Sequence, residues 1–323
     1  MAIIKKKETG GAKKHDAKTH SDERRIFTLS TAKAGIIAEK IMRAYNDKTK
    51  VFRKSDLFPE EKLPKGMRKG SVEHARYLFL MNQLDHNVSS KFLYKYGRAL
   101  CEARPEMFGP SHVFSDAELD EVVRTWLRYP FVGKSVHDIG HNFREINAQY
   151  GGNPINVFNG THDVSEALLR LEKFEGYGAN LSRLLLSYYI RAGMVRFKNG
   201  IDLLPKIDIH DIQISVSTGV VKFKGKIGKD DIIPVLSKFW SRFCKNHSYC
   251  VIEFDRALWA IGSEICNKKD HRMCVRDCPV EAECGSMPPT YYNDGFIDPH
   301  VNDRPRQMAL RLKYHEENEP KSK

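Results

Sequence analysis

The chain has 323 residues, 41% hydrophobic and 29% charged. At roughly 150 residues per domain this is room for about two domains, long enough to bury a core without staples. The balance is that of a globular protein and excludes a disordered tail or a fibre. Lysine plus arginine is 53 against 41 acidic residues, a net charge of +12, which suits a polyanion: nucleic acid first, an anionic membrane face second. No run of about 18 apolar residues occurs, so no membrane-spanning helix is expected. The lysine-rich start has no apolar stretch of the kind that secretory signals carry. A cytoplasmic, reducing setting is therefore expected, in which the seven cysteines are reduced, metal-bound or catalytic.

Residues 1–25 hold eight basic and four acidic residues with few apolar ones, and read as a flexible basic arm. Apolar residues at helical spacing (Ile36, Ile37, Ile41, Met42, Tyr45) predict a helix within 26–46. Prolines and glycines over 54–70 predict a loop. Ser71 caps a strongly apolar helix that breaks near Asp85 and resumes as a second one. Ser115 caps a helix through Trp126, and another covers about 134–150. Helices over 163–172 and 179–192 flank a very short glycine-containing hairpin. After Pro205 the β-branched stretch IQISVSTGVVKFKGKIG predicts a small β-hairpin around Thr218-Gly219, and helices follow over 230–247 and 251–265. The class is mainly α with one small β element.

Four cysteines, Cys266, Cys274, Cys278 and Cys284, follow the last helix with the spacing C-x7-C-x3-C-x5-C. Thiolates in one loop suit Zn²⁺ or a [4Fe–4S] cluster. Structural zinc sites pair their cysteines as two knuckles, and here only Cys274 and Cys278 make such a pair, so the spacing favours a cluster over zinc. Cys101 reads as a buried helix residue, and Cys244 and Cys250 as structural thiols. In the hairpin, Gly176 and Gly178 permit positive φ and close approach of backbone to a ligand; its amides suit a phosphate, or simply a tight helix–helix turn. Asp208 lies between Ile207 and Ile209, where desolvation can raise its pKa, and reads either as a catalytic carboxylate or as a helix cap.

Val251-x-x-Phe254 … Trp259-x-x-Gly262-x-x-x-Cys266 and the three cysteines after it resemble the end of endonuclease III-type, helix-hairpin-helix DNA glycosylases, whose cluster loop reads C-x6-C-x2-C-x5-C. The chain carries one extra residue in each of the first two gaps. The segment Phe174-Glu175-Gly176-Tyr177-Gly178-Ala179-Asn180-Leu181-Ser182 is similar to that family's hairpin, L-P-G-x-G-x-K-T-A, with Glu175 in place of proline and Asn180 in place of the Schiff-base lysine. An amide cannot form an imine. Ile207-Asp208-Ile209-His210-Asp211-Ile212-Gln213 resembles the family's V-D-T-H-x-x-R, and Phe79-Leu80-Met81-Asn82-Gln83-Leu84-Asp85 resembles L-L-S-x-Q-x-T-D.

The resemblance covers about 75–290 and implies a mainly α, two-lobed helix-hairpin-helix glycosylase fold with a C-terminal iron–sulfur loop; the small β insertion at 213–228 and the segment 1–70 are not explained by the family's pattern. The chain then divides into the basic arm at 1–25, a helix and loop at 26–70 packing on the cluster lobe, a helical barrel at 71–204 ending in the hairpin, the catalytic-Asp and cluster lobe at 205–290, and a tail at 291–323. The resemblance implies a monofunctional DNA N-glycosylase, without β-lyase activity, that flips out a modified or mispaired base and hydrolyses its N-glycosidic bond. Asp208 would stabilise the positive charge that develops on the sugar. Gly176, Tyr177, Gly178, Asn180, Ser182, Arg183 and His210 would contact double-stranded DNA, and Gln83 would fill the gap left by the flipped base. The cysteines would hold a [4Fe–4S] cluster, and Lys268, Lys269, Arg272 and Arg276 would add phosphate contacts. The implied protein is a monomer that does not engage a membrane. The alternative is an iron–sulfur DNA-binding module that uses the same scaffold without chemistry.

Overall fold

The computed structural model describes residues 27–85, 88–198, 203–223, 227–266, 270–285, 290–291 and 296–298. The arm at 1–25, Lys268, Lys269 and nearly all of the tail from 291 lie outside the described residues. The fold is mainly helical, and no described helix is long and apolar enough to cross a membrane.

Helix starts follow local chemistry. Ser30 caps α1 (Thr31–Asn46), Ser71 caps α2 (Val72–Leu84), and Ser115 caps α4 (Asp116–Glu121), each hydroxyl accepting a backbone N–H three residues on. Between the last two lies α3 (Ser90–Ala103). The helix expected to run from Ser115 through Trp126 is not uniform. After α4 it widens into a π-helical turn at Val122–Trp126, with Val122 and Val123 buried beneath it. Next come α5 (Val132–Tyr150), α6 (Val164–Leu171) and α7 (Ala179–Arg191). The centre of this part is α2, buried at every position from His74 to Leu84 and packed against α3, α5 and α7. A helix buried on every side, its polar His74, Arg76, Asn82 and Gln83 included, belongs to the core.

The remaining helices are α8 (Ile209–Ser217), α9 (Lys229–Asn246), α10 (Val251–Glu264) and α11 (His271–Asp277). The β-hairpin expected around Thr218-Gly219 does not form. Ile209–Ser217 is helix, and Val221–Phe223 pairs antiparallel with Phe27–Leu29, far away in sequence. Two effects override β-propensity here. The Asp208/Asp211 capping box starts the helix, and Ile212 and Ile214 are buried. Gly219, with φ of +70°, then ends it.

The closest crossing joins α8 to α10. A Cβ built on Gly262 would lie 2.7 Å from His210 Cα and 2.9 Å from its carbonyl oxygen, and against its Cβ. The N-terminal segment closes onto the same group, since α1 and Lys50–Arg53 pack on α10. A buried ionic junction ties it to the helices before it. Arg256 of α10 stacks 3.7 Å from the Phe58 ring centroid and donates to the Tyr45 hydroxyl and to Glu60, at 3.1 and 2.9 Å. Arg191, at the end of α7, pairs with Glu61 and Glu253.

Gly262→Ala is expected to push α8 from α10 and destabilise the protein by about 1–3 kcal/mol, the usual cost of overpacking. Thermal unfolding should fall by several degrees; an unchanged midpoint would mean that the crossing tolerates a methyl group.

Candidate functional site

The hairpin between α6 and α7 is built from the backbone outward. Asp163 caps α6 through Ser165 and Glu166 N–H, and Gly176 turns the chain with φ of +78°. Gly178 does not use positive φ: at −86° it is the extended N-cap of α7, with no side-chain cap. Asn142, fully buried on α5, grips the turn from below. Its Oδ1 accepts the Glu175 N–H and its Nδ2 donates to the Glu175 carbonyl, both at 2.8 Å.

The residues expected to face DNA divide. Gly178, Asn180 and the Glu175 side chain are exposed, and Arg183 is half-buried. Tyr177 is 4% exposed and donates its hydroxyl to the Phe79 carbonyl, while Ser182 is wholly buried, so neither presents a side chain to a ligand. Gln83 corrects the expectation most. It is 5% exposed and donates to the Glu175 carbonyl at 3.2 Å, so it supports the hairpin from inside and offers no wedge to a duplex. Arg272 and Arg276, expected to meet phosphates, pair with Asp270 and Asp277. Cys250, expected to be structural, is exposed.

Asp208 sits at the mouth of α8 as its N-cap. Its carboxylate accepts the His210 N–H at 2.7 Å, and Asp211 Oδ2 accepts the Asp208 N–H at 2.8 Å. Lys206 Nζ lies 3.9 Å from it, and its side chain is 22% exposed. The cap reading of Asp208 is therefore correct in geometry, and it leaves the carboxylate reachable. His210 is half-buried, edge-on to Trp259, and its Nδ1 has no hydrogen-bond partner among the described residues.

Two further carboxyl groups stand with Asp208. Burial raises Asp211 well above the carboxylate range, and the charges of Asp208 and Asp255 push it the same way. Burial raises Asp255 to about 8, Asp208 adds to this, and Lys206 and Arg183 pull it back. Asp255 comes from α10 and lines a crevice with Arg183, Ser187, Pro205 and Lys206. Burial thus biases Asp211 and Asp255 toward their protonated forms, beside the reachable carboxyl group of Asp208. Sequence reasoning missed both. The D-x-x-D cap was legible for Asp211; Asp255 lies on another helix, and nothing local marks it.

The cysteine loop packs against the opposite end of α8 and α10. Cys266 and Cys278 are buried, and Cys274 and Cys284 are half-buried. Burial pushes the Cys266 and Cys278 thiols up, and each is pushed further by the other cysteines of the set. The four are therefore near neighbours, although among the described residues no three His, Cys, Asp or Glu side chains stand in ligating geometry. Distant basic residues clamp the loop: Lys40 to Glu283 at 2.5 Å, Arg53 to Asp277 at 2.7 Å, and Lys54 and Lys91 to Glu264 at 3.1 and 2.9 Å. The Gly285 N–H donates to the Ser217 carbonyl at 2.9 Å, joining the loop to the end of α8.

No protein-family model matches the chain, and no curated protein matches it.

Asp255 makes a checkable contribution to stability. Its folded-state pKa is raised, so as pH rises above the ordinary carboxylate range the unfolded chain releases a proton that the folded one keeps. That stability is present at acid pH and is lost progressively up to about pH 8. Asp255→Asn should leave stability near that of the wild type at pH 4 and gain several kcal/mol relative to it at pH 8, up to about 5 for a carboxyl raised from 3.8 to about 8, read by denaturant unfolding at both. A constant difference between the two proteins would place Asp255 in water.

Proposed function

We propose that the chain is a monofunctional DNA N-glycosylase of the helix-hairpin-helix type, which turns a modified or mispaired nucleotide out of the duplex and hydrolyses its N-glycosidic bond. The observation that carries this reading is the reachable Asp208 carboxylate at the N-cap of α8, with the raised carboxyls Asp211 and Asp255 beside it and Arg183 of the hairpin's second helix lining the Asp255 crevice. Breaking the bond builds positive charge on the sugar, and a fixed carboxylate lowers the energy of that state. Water supplies the incoming oxygen, the base leaves with the bonding electron pair, and the abasic sugar remains. With Asn180 at the lysine position, no imine forms there and strand cleavage by that route does not follow. The net charge of +12 and the exposed hairpin turn support a phosphate-rich partner, double-stranded DNA.

By chemistry the donor set suits an iron–sulfur cluster: Cys266, Cys274, Cys278 and Cys284 offer four soft thiols from one loop, close enough to influence one another's titration, although among the described residues no three of them stand in ligating geometry. A cluster bound there would order the loop and with it the far end of α8. Zn²⁺ is the alternative occupant.

The second reading, a DNA-binding module without chemistry, is favoured by one specific set of features. Gln83 is buried, Glu175 brings negative charge to the hairpin, and Asn180 replaces the lysine.

Asp208→Asn is expected to lower release of free base from modified duplex DNA by about 100-fold or more while duplex binding is kept, read by mass spectrometry of the released bases. A variant as active as the wild type would remove Asp208 from the chemistry; a wild type that binds lesion and normal DNA alike and releases nothing would favour the second reading. Anaerobically purified protein should contain iron and acid-labile sulfide, and Cys278→Ser should lose both. Zinc in their place would overturn the cluster assignment.

A further inference from the structure

The start of α8 brings two acidic side chains into contact. Asp208 is its N-cap and Asp211 its third residue. Asp208 accepts the His210 N–H at 2.7 Å and, as one half of a reciprocal cap, the backbone N–H of Asp211. Asp211 supplies the other half, its Oδ2 accepting the Asp208 N–H at 2.8 Å. The two carboxyl groups are also hydrogen-bonded to each other. An ionised carboxylate only accepts, so this last bond needs a proton on one member of the pair.

Burial decides which member. Asp211 is 1% exposed, and among the described residues nothing donates to its Oδ1. A charge there would be out of water with one oxygen unmet, and a carboxylic acid avoids that cost. Asp208 keeps contact with solvent, and Lys206 Nζ stands 3.9 Å from it. The charged groups around Asp211 push the same way. Asp208 lies in its own cap and Asp255 comes from α10, both acidic, while Lys206 and Arg183 act on Asp255. The field of the helix start favours negative charge at this end, and the exposed member of the pair is the one that can keep water around it.

The proton gives Asp211 a role beyond the cap. An O–H donated from beneath holds the Asp208 carboxyl group in one orientation, from a side that solvent does not reach. For a group that must meet positive charge developing on a sugar, fixed orientation matters as much as proximity.

We propose that Asp211 is kept as a carboxylic acid and is the positioning residue of Asp208, its O–H donated to the Asp208 carboxyl group. The part that concerns base release rests on the glycosylase reading; the proton and its hydrogen bond do not.

The test uses the full chain. Infrared spectra at neutral pH should show a buried carboxylic-acid carbonyl band that Asp211→Asn removes. Asp211→Ala, which removes the acceptor and the O–H together, should lower base release from modified duplex DNA about tenfold or more with duplex affinity kept. Asp211→Asn should restore most of it, because its amide accepts the Asp208 N–H and donates an N–H in place of the O–H. Wild-type base release should fall as pH rises and Asp211 gives up its proton, since the hydrogen bond is lost and two like charges are left in contact. Asp211→Asn should lack that fall, and Asp255→Asn should keep one. An infrared spectrum unchanged by Asp211→Asn, an Asp211→Asn as impaired as Asp211→Ala, or an Asp211→Ala as active as the wild type overturns the proposal. If Asp211→Ala does not fold, the band and the alkaline profile of Asp211→Asn decide. The arms separate this proposal from the glycosylase reading. A band lost in Asp211→Asn with no base released by the wild type keeps the acid and sinks the chemistry, whereas base release that needs Asp208 with no change in the band sinks the acid and keeps the chemistry.

Discussion

The contact of α8 with α10 at Gly262 sets the position of everything else. Helix α10 approaches the backbone of His210 more closely than any side chain would allow. This crossing fixes the start of α8, and with it the Asp208 cap, against the helix that carries Asp255. It also fixes the other end, where α10 runs into the cysteine loop and the Ser217 carbonyl of α8 receives the Gly285 N–H. The carboxyl group and the cysteine loop are therefore two ends of one helix pair, and their geometry is shared through packing rather than through direct contact.

The ionic junction at Arg256 is a second constraint of a different kind. A buried guanidinium costs desolvation, and the cost is offset only if its donors are met. Here the Tyr45 hydroxyl, Glu60 and Glu61 meet the donors of its two terminal nitrogens and the Phe58 ring covers its face, while the Nε–H has no partner among the described residues. These partners come from α1 and from the irregular segment after it, so the arrangement specifies how that segment sits. Such a junction favours one arrangement over near alternatives more than it adds net stability. It also forms one wall of a cavity of about 280 Å³ that His74 helps to line, because Glu60, Glu61 and Arg191 belong to both.

Much of the helical order was legible in the sequence, because local rules write it there: serine caps before apolar runs, the glycines of the hairpin and the cap at Asp208. Gly176 was legible for the same reason, since a left-handed turn between two helices leaves a residue-type signature. What local pattern cannot carry was misread. The stretch after Ile212 looks like strand by composition, and burial against other helices made it helix. Gln83 looks like an exposed helix end, but the hairpin turn that covers it lies some 90 residues on. Asp255 is one acidic residue in an ordinary amphipathic helix; only the fold brings it to Asp208. The candidate site was thus half visible, in its N-cap and its cysteines, and half formed by tertiary contact.

The clamps on the cysteine loop also bear on the order in which the molecule is made. Lys40, Arg53 and Lys54 reach acidic partners more than 200 positions later in the chain, with separations of 243, 224 and 210 residues. Contacts of such range close late, because their loop entropy must be overcome before they return anything. The basic seat itself packs on α10, which is made just before the cysteines, so the seat would settle once α10 is in place and the loop would follow it. The loop then docks onto a surface that already carries the complementary charge. The seat acts as a template, and α1 with the segment after it would be what holds the late-arriving thiols together.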